Sequence, residues 1–181
     1  MAFKSVEINE NLMREQLFSI RAHKWRALED MSNNYDHGLL LVDCQPLKKD
    51  IVDHCEELCN TLEKYIKNEF LDKMKNIKGE INMVTGRLHE KAESIDEVMS
   101  LLDYIETLKR TDNKVADIQD YINIMAKQMK FIDSLKVAFN DQDYAEFLNI
   151  RNWPRSFDKF ILNRKEELQS QKDKLIAEMK E

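Results

Sequence analysis

The sequence contains few of the residues that make turns and irregular loops. Only 3 Gly and 2 Pro occur in 181 residues. Glycine supplies turn conformations and proline interrupts helices, so their scarcity predicts long, uninterrupted helices. The 3 cysteines are an odd number, which does not suggest a disulfide framework. A reducing, cytoplasmic setting fits this usage best.

Signals for secretion, membranes and nucleic acids are also missing. The N-terminus carries charges every few residues and lacks the apolar core of a signal peptide. The longest strongly apolar run, GLLLV at residues 38–42, is much too short to span a bilayer. A net charge of -6 gives no overall attraction for phosphate backbones or anionic lipids. We therefore expect neither a nucleic acid nor a membrane as partner.

No group of residues predicts catalysis or a cofactor. The glycines are too scattered for a phosphate-binding loop or a dinucleotide fingerprint. His54, Cys55 and Cys59, with Cys44 nearby in sequence, form the one cluster with metal-like spacing, since thiols four residues apart share a helix face. Buried cysteines that pack as small apolar side chains are the favoured interpretation. We expect no catalytic residue, no cofactor and no metal.

Helical periodicity dominates the rest of the sequence. Apolar residues recur every three or four positions from Leu47 to Leu88, which predicts one long helix or two helices broken near Gly79. The pattern Ser-x-x-Glu at residues 94–97 predicts a capping box, and a polar hinge at residues 111–114 precedes a helix that reaches Phe139.

These signals predict an all-α fold: an elongated array of helical bundles with long amphipathic helices and one short extended segment near residues 38–45. The predicted divisions are an N-terminal helix over residues 1–32, a loop or extended connector over 33–46, a helical bundle over 47–152, and the start of a following long helix over 153–181.

Five residues are the candidates for structural or interaction roles. Trp25 and Trp153 are interpreted as anchors between helices, with a hot spot for a partner chain as the alternative. Tyr144 and Phe147 would extend such a patch, and Pro154 is expected to open the last helix. No Gly or Pro closes that helix, which predicts that it continues in a longer chain.

Three stretches together resemble the tail of dynein heavy chains, and they cover roughly residues 38–181. The first is similar to a segment that opens a tail helix, the second to a helix, a polar hinge and a second long helix, and the third to the Trp-Pro start of a later tail helix. They read GLLLVDCQPLKKDIVDHCEELCNTLEKYI, SIDEVMSLLDYIETLKRTDNKVADIQDYINIMAKQM and RNWPRSFDKFILNRKEELQSQKDKLIAEM. The resemblance is closer to axonemal than to cytoplasmic chains.

The resemblance implies a mechanical role in the non-motor tail that leads into the linker. The nucleotide sites of that family lie in ring modules outside this sequence, so no catalytic residue is carried over. The implied partners are intermediate and light chains, another heavy chain and the rest of the same heavy chain. The implied location is the cytoskeleton, in the axoneme of a cilium or flagellum.

Two alternatives stay open from the sequence. One is a free-standing helical-bundle adaptor or cytoskeletal interaction protein. The other is a small helical metalloprotein that uses His54, Cys55 and Cys59.

Overall fold

A computed structural model describes residues 10–108 and 114–179 of the chain. Within these residues the fold is an all-α helical bundle with one small β-hairpin, which confirms the predicted fold class. The helices are α1 (Glu10–Glu29), α2 (Gln45–Leu88), α3 (Ile95–Leu108), α4 (Lys114–Ser134) and α5 (Asp141–Glu178). The hairpin strands are β1 (Asn34–Asp36) and β2 (Leu41–Asp43).

Helix α2 is a single helix of 44 residues, so the break considered near Gly79 does not occur. A glycine inside a helix costs about 1 kcal/mol. Ile77 and Ile81 flank the glycine and are both buried. Burial of each such side chain contributes about 1.5–3 kcal/mol, which exceeds the cost of the glycine. Pro46 lies in the first turn of α2, where a helix tolerates proline because the N–H that it lacks would have no partner within the helix.

Helix α3 begins with the predicted capping box. The Glu97 N–H donates to Ser94 Oγ at 3.3 Å, and the Ser94 N–H donates to Glu97 Oε2 at 3.3 Å. Two backbone donors that have no partner within the helix are satisfied in this way. Most of the predicted hinge at residues 111–114 lies outside the described residues.

The prediction that a helix starts at Pro154 is wrong, and so is the division between residues 152 and 153. Helix α5 begins at Asp141, capped by Asn140, whose Oδ1 accepts the Asp143 N–H at 2.6 Å, and it continues through Pro154. A proline inside a helix costs about 3 kcal/mol because it removes a hydrogen bond and crowds the preceding turn. Burial on one face of α5 offsets that cost. The buried residues are Phe147, Ile150, Trp153, Phe157, Ile161 and Leu168.

Helix α4 ends at Ser134, five residues earlier than Phe139, where the periodicity placed its end. Lys136 adopts a positive φ of 58°. The Val137 N–H donates to the Ile132 carbonyl at 3.5 Å, and the Lys136 N–H donates to the Asp133 carbonyl at 3.0 Å. This pair of bonds is a Schellman motif, in which the left-handed position usually holds glycine. The sequence has lysine there, so the usual signal for a helix end is absent.

The chain divides into two compact units. The described part of unit 1 comprises residues 10–69 and 131–137, and that of unit 2 comprises residues 70–108, 114–130 and 138–179. The chain passes from one unit to the other inside α2, inside α4 and between α4 and α5, and none of these three points coincides with a predicted boundary. The buried core residues of unit 1 are Leu17, Ala27, Cys55, Cys59, Ile66, Phe131, Ile132, Leu135 and Val137. In unit 2, α3 packs against α5.

Candidate interaction surface

Most of the large apolar side chains that are exposed among the described residues belong to unit 1, although unit 1 is the smaller unit. They are Leu12, Phe18, Trp25, Leu28, Tyr35, Leu39, Leu40, Leu41, Val42, Leu47, Leu58 and Tyr65. Singly scattered apolar side chains are normal on a protein surface, whereas contiguous ones indicate an interaction site. Unit 1 has two such groups, on the hairpin and on α1.

The hairpin is built by local hydrogen bonds at a polar turn. Tyr35 pairs with Val42 in antiparallel register, and the His37 N–H donates to the Leu40 carbonyl at 2.8 Å. Gly38 follows with a positive φ of 76°, which a residue with a side chain adopts only at a cost. The Gly38 N–H also donates to Asp36 Oδ1 at 2.8 Å, which fixes the start of the turn.

The hairpin tip, defined as Leu39, Leu40 and Leu41, holds its side chains in water. Their exposed fractions are 101%, 69% and 72%. Two short paired strands are marginally stable alone, and burial of one leucine side chain contributes about 1.5–3 kcal/mol. A partner that covers the tip would therefore gain several kcal/mol of apolar burial.

The hairpin tip was not predicted as a binding surface. From the sequence, the run GLLLV only excludes a membrane span and predicts an extended segment. The signal that could have found the tip is the four consecutive apolar residues LLLV directly after the turn-forming residues NNYDHG. A run without alternation cannot present its apolar side chains on one face of a strand, so some of them face solvent unless both faces are covered.

Trp25 is not the anchor between helices that the sequence favoured. It lies on the outer face of α1 with 61% of its surface exposed, and Phe18, seven residues earlier, is 54% exposed. Leu17 and Ala27 of the same helix are buried. The positions of Trp25 and Ala27 differ by about 200° around a helix, so the two side chains cannot both enter the core.

Polar contacts contribute much of the attachment of α1 within unit 1. The Arg21 guanidinium donates to Glu63 Oε1 at 2.9 Å and to the Leu135 carbonyl at 3.1 Å. Lys24 forms an ion pair with Glu56. These contacts fix which face of α1 points inward and leave the face with Phe18 and Trp25 outward.

The other aromatic candidates lie in unit 2 and do not form one exposed patch. Phe147 is buried against Phe70, with ring centroids 6.0 Å apart. Trp153 is buried and stacks on Phe157 with centroids 4.4 Å apart. Tyr144 is exposed beside Phe147, at a centroid distance of 6.1 Å. Trp153 is therefore an anchor within unit 2, and Phe147 is a core residue.

The cysteines of α2 are placed as core side chains. Cys55 and Cys59 are buried, while the His54 imidazole is exposed and lies 3.9 Å from the Glu57 carboxylate. Burial raises the pKa of the Cys59 thiol, and the nearby Arg21 charge partly opposes that shift. Within residues 10–108 and 114–179, no three His, Cys, Asp or Glu side chains converge as metal ligands would.

No helix in the described part of the chain has the length and apolar character needed to cross a bilayer. Comparison with known proteins adds no identity: no protein-family model matches the chain, and no curated protein matches it significantly. The resemblance to dynein tails thus stays a prediction from the sequence.

Proposed function

We propose that this chain is a non-catalytic segment of a dynein heavy-chain tail, which links an ATP-driven microtubule motor to its attachment site and binds other protein chains. Its location is then the cytoskeleton, in the axoneme of a cilium or flagellum. The implied partners are intermediate chains, light chains, another heavy chain and the rest of the same heavy chain.

Two kinds of observation support the connecting role. The three stretches that resemble dynein tails follow one another in order along residues 38–181. The fold that carries them is all-α, and α2 and α5 are 44 and 38 residues long. At 1.5 Å per residue they extend about 66 Å and 57 Å, which suits a part that transmits force.

The hairpin tip is the single observation that carries the binding role. Three consecutive leucines in water on a hairpin of two short strands leave an apolar surface for a second molecule to cover. Insertion of this tip into an apolar cleft would bury the leucines and hold the two strands together. The hairpin tip thus binds the tail to another chain.

Charge around the tip favours a protein partner over an anionic membrane. Asp36 and Asp43, at the two ends of the hairpin, are exposed, and each accepts a backbone N–H from the residue two positions later. The Asp36 carboxylate next to the tip and the Asp43 carboxylate at the other end of the hairpin repel anionic lipid headgroups and attract a basic rim. The expected partner therefore has an apolar cleft bordered by Lys or Arg, on an intermediate or light chain.

Fractionation of an extract from the source organism tests the assignment. An antibody raised against this sequence should detect a band far larger than 21.5 kDa. That band should pellet with microtubules without ATP and leave them when ATP is added, as the motor domain of a dynein requires. A reactive band of 21.5 kDa that ignores microtubules would overturn the assignment and favour the free-standing adaptor.

Variants of the intact heavy chain test the role of the tip. Replacement of Leu39, Leu40 and Leu41 by Ser should reduce the amount of intermediate and light chains that co-purify with the heavy chain by at least tenfold. The control is Met83→Ser on α2, which removes an exposed apolar side chain elsewhere. Equal recovery of subunits with both variants would refute the docking role of the tip.

A further inference from the structure

The outer face of α1 carries two aromatic residues with one charged residue on either side, and the spacings are the same in both directions along the helix. Arg14, Phe18, Trp25 and Glu29 follow one another at spacings of four, seven and four residues. At 100° per residue the four positions lie within about 60° around the helix axis. They therefore form one stripe, about 22 Å long. All four residues are exposed.

We propose that this stripe, the α1 stripe, is the contact between two copies of this chain, with the two α1 helices antiparallel. A two-fold axis halfway between Phe18 and Trp25 places Phe18 of each copy opposite Trp25 of the other. The same axis places Arg14 opposite Glu29 at both ends of the contact. The surface is thus complementary to itself, as a symmetric dimer interface must be.

Charge excludes the parallel arrangement in the same register. It would place Arg14 against its own copy and Glu29 against its own copy, and like charges across an interface are unfavourable. The antiparallel arrangement converts both repulsions into attractions. The order of the charges along α1 therefore selects the antiparallel orientation.

The contacts that α1 already makes within unit 1 leave the α1 stripe able to bind a second copy. The Arg14 guanidinium lies over the Phe131 ring at 5.4 Å and reaches Ser134 Oγ at 3.5 Å, which occupies one of its five N–H donors. Arg21 lies at the edge of the stripe, next to the proposed axis, and its charge is already paired with Glu63, while it also donates to the Leu135 carbonyl. Helix α1 therefore keeps its orientation while its outer face pairs.

The aromatic pair sets the strength of the contact. Aromatic residues provide large contact areas and dominate the binding energy of many interfaces. One Phe and one Trp from each copy make a small interface, which corresponds to a weak dimer with a Kd on the order of 10 µM. The contact is independent of the dynein assignment, because it uses only this chain.

Sedimentation equilibrium of the purified chain between about 1 and 200 µM tests the proposal. The wild type should change from monomer to dimer across this range. The double variant F18S/W25S should remain monomeric, whereas the control L162S, which removes an exposed leucine from α5, should dimerise like the wild type. A wild type that stays monomeric at every concentration would overturn the proposal, and so would a double variant that still dimerises.

A charge-reversal cycle tests the antiparallel orientation. R14E alone and E29R alone should each weaken dimerisation at least fivefold, because each leaves like charges opposed at both ends. The double variant R14E/E29R should recover the wild-type Kd within twofold, since opposite charges face each other again. Failure of the double variant to recover, in a chain with an unchanged circular dichroism spectrum, would overturn the antiparallel pairing. Failure here leaves the extract experiment on the dynein assignment unaffected.

Discussion

Arg164 is expected to stabilise unit 2 by capping the C-terminus of α2. Its Nε donates to the Leu88 carbonyl at 2.9 Å, and its Nη2 donates to the Glu90 carbonyl at 2.8 Å. The last carbonyls of a helix have no partner within the helix and attract positive charge. A hydrogen bond to a charged group contributes about 1.5–3 kcal/mol, and the Arg164 side chain is only 14% exposed. We therefore expect Arg164→Met to lower the free energy of unfolding of unit 2 by about 2–3 kcal/mol.

The assay is urea denaturation followed by Trp153 fluorescence in a Trp25→Phe background, where Trp153 is the one remaining tryptophan. Hydrogen exchange of the last turn of α2 should accelerate in parallel. Arg164→Lys should recover about half of the loss, since an ammonium cannot reach both carbonyls in the planar geometry of a guanidinium.

Two controls separate the cap from other effects of Arg164. Its ion pair with Glu167 at 3.0 Å involves an exposed carboxylate, so Glu167→Gln should cost less than about 0.5 kcal/mol. Arg155→Met removes an exposed arginine from the same helix and should change little. If Arg164→Met and Arg155→Met unfold at the same urea concentration, the capping argument is refuted.

For four further substitutions the structure predicts whether stability rises or falls. Lys136→Gly should raise the free energy of unfolding by about 0.5–1 kcal/mol, because glycine adopts the left-handed conformation without strain. The control Lys127→Gly, inside α4, should lower the free energy of unfolding by about 1 kcal/mol. Chemical denaturation that gives both changes the same sign would contradict this reasoning. Trp153→Ala should cost about 3–5 kcal/mol by cavity formation, and an unchanged unfolding midpoint would refute its burial. Pro154→Ala should stabilise unit 2 by about 2 kcal/mol in the same assay, because it restores an N–H to the helix, and a loss of stability would refute that reasoning. Burial raises the pKa of the Cys59 thiol in the folded chain, so the stability present below the ordinary pKa of about 8.5 is lost as pH rises from that value through the raised pKa. Stability should decline less above pH 8 in Cys59→Ala than in the wild type, and equal slopes would contradict the shift.

The fold was predictable where local chemistry and burial agree. The spacing of apolar residues in α2 and the pair Ser94 and Glu97 predicted elements that the structure contains. Prediction failed at Pro154 and Lys136, where a local preference opposes the tertiary packing. A proline is the usual start of a helix, and a lysine is an ordinary helix interior residue. At both positions the packing of neighbouring apolar side chains determines the backbone, and that packing is not visible in one sequence.

The candidate surface was predictable only in part, because apolar periodicity does not tell which apolar residues face water. Trp25 and Trp153 are the same residue type, and each lies in a helix whose apolar residues recur with helical spacing. One is exposed and the other is buried. Trp153 packs in the core of unit 2, whereas the Arg21 contacts fix the rotation of α1 and leave Trp25 on its outer face. The hairpin tip was not predicted because three adjacent leucines are typical of a buried core. The sequence does not show that no other element of the described chain covers these side chains.

The two units differ in how their apolar residues are exposed, and this difference predicts different roles for them. Unit 2 buries a continuous apolar row along α5, and its exposed apolar residues, such as Met83 and Leu162, occur singly. Unit 1 holds α1 partly by charged contacts and exposes both the α1 stripe and the hairpin tip. A unit that leaves two apolar groups in water reaches its lowest free energy when other chains cover them. We therefore expect variants of the α1 stripe or of the tip to change assembly with little loss of stability, whereas changes at Arg164 or Trp153 should lower stability and leave binding intact.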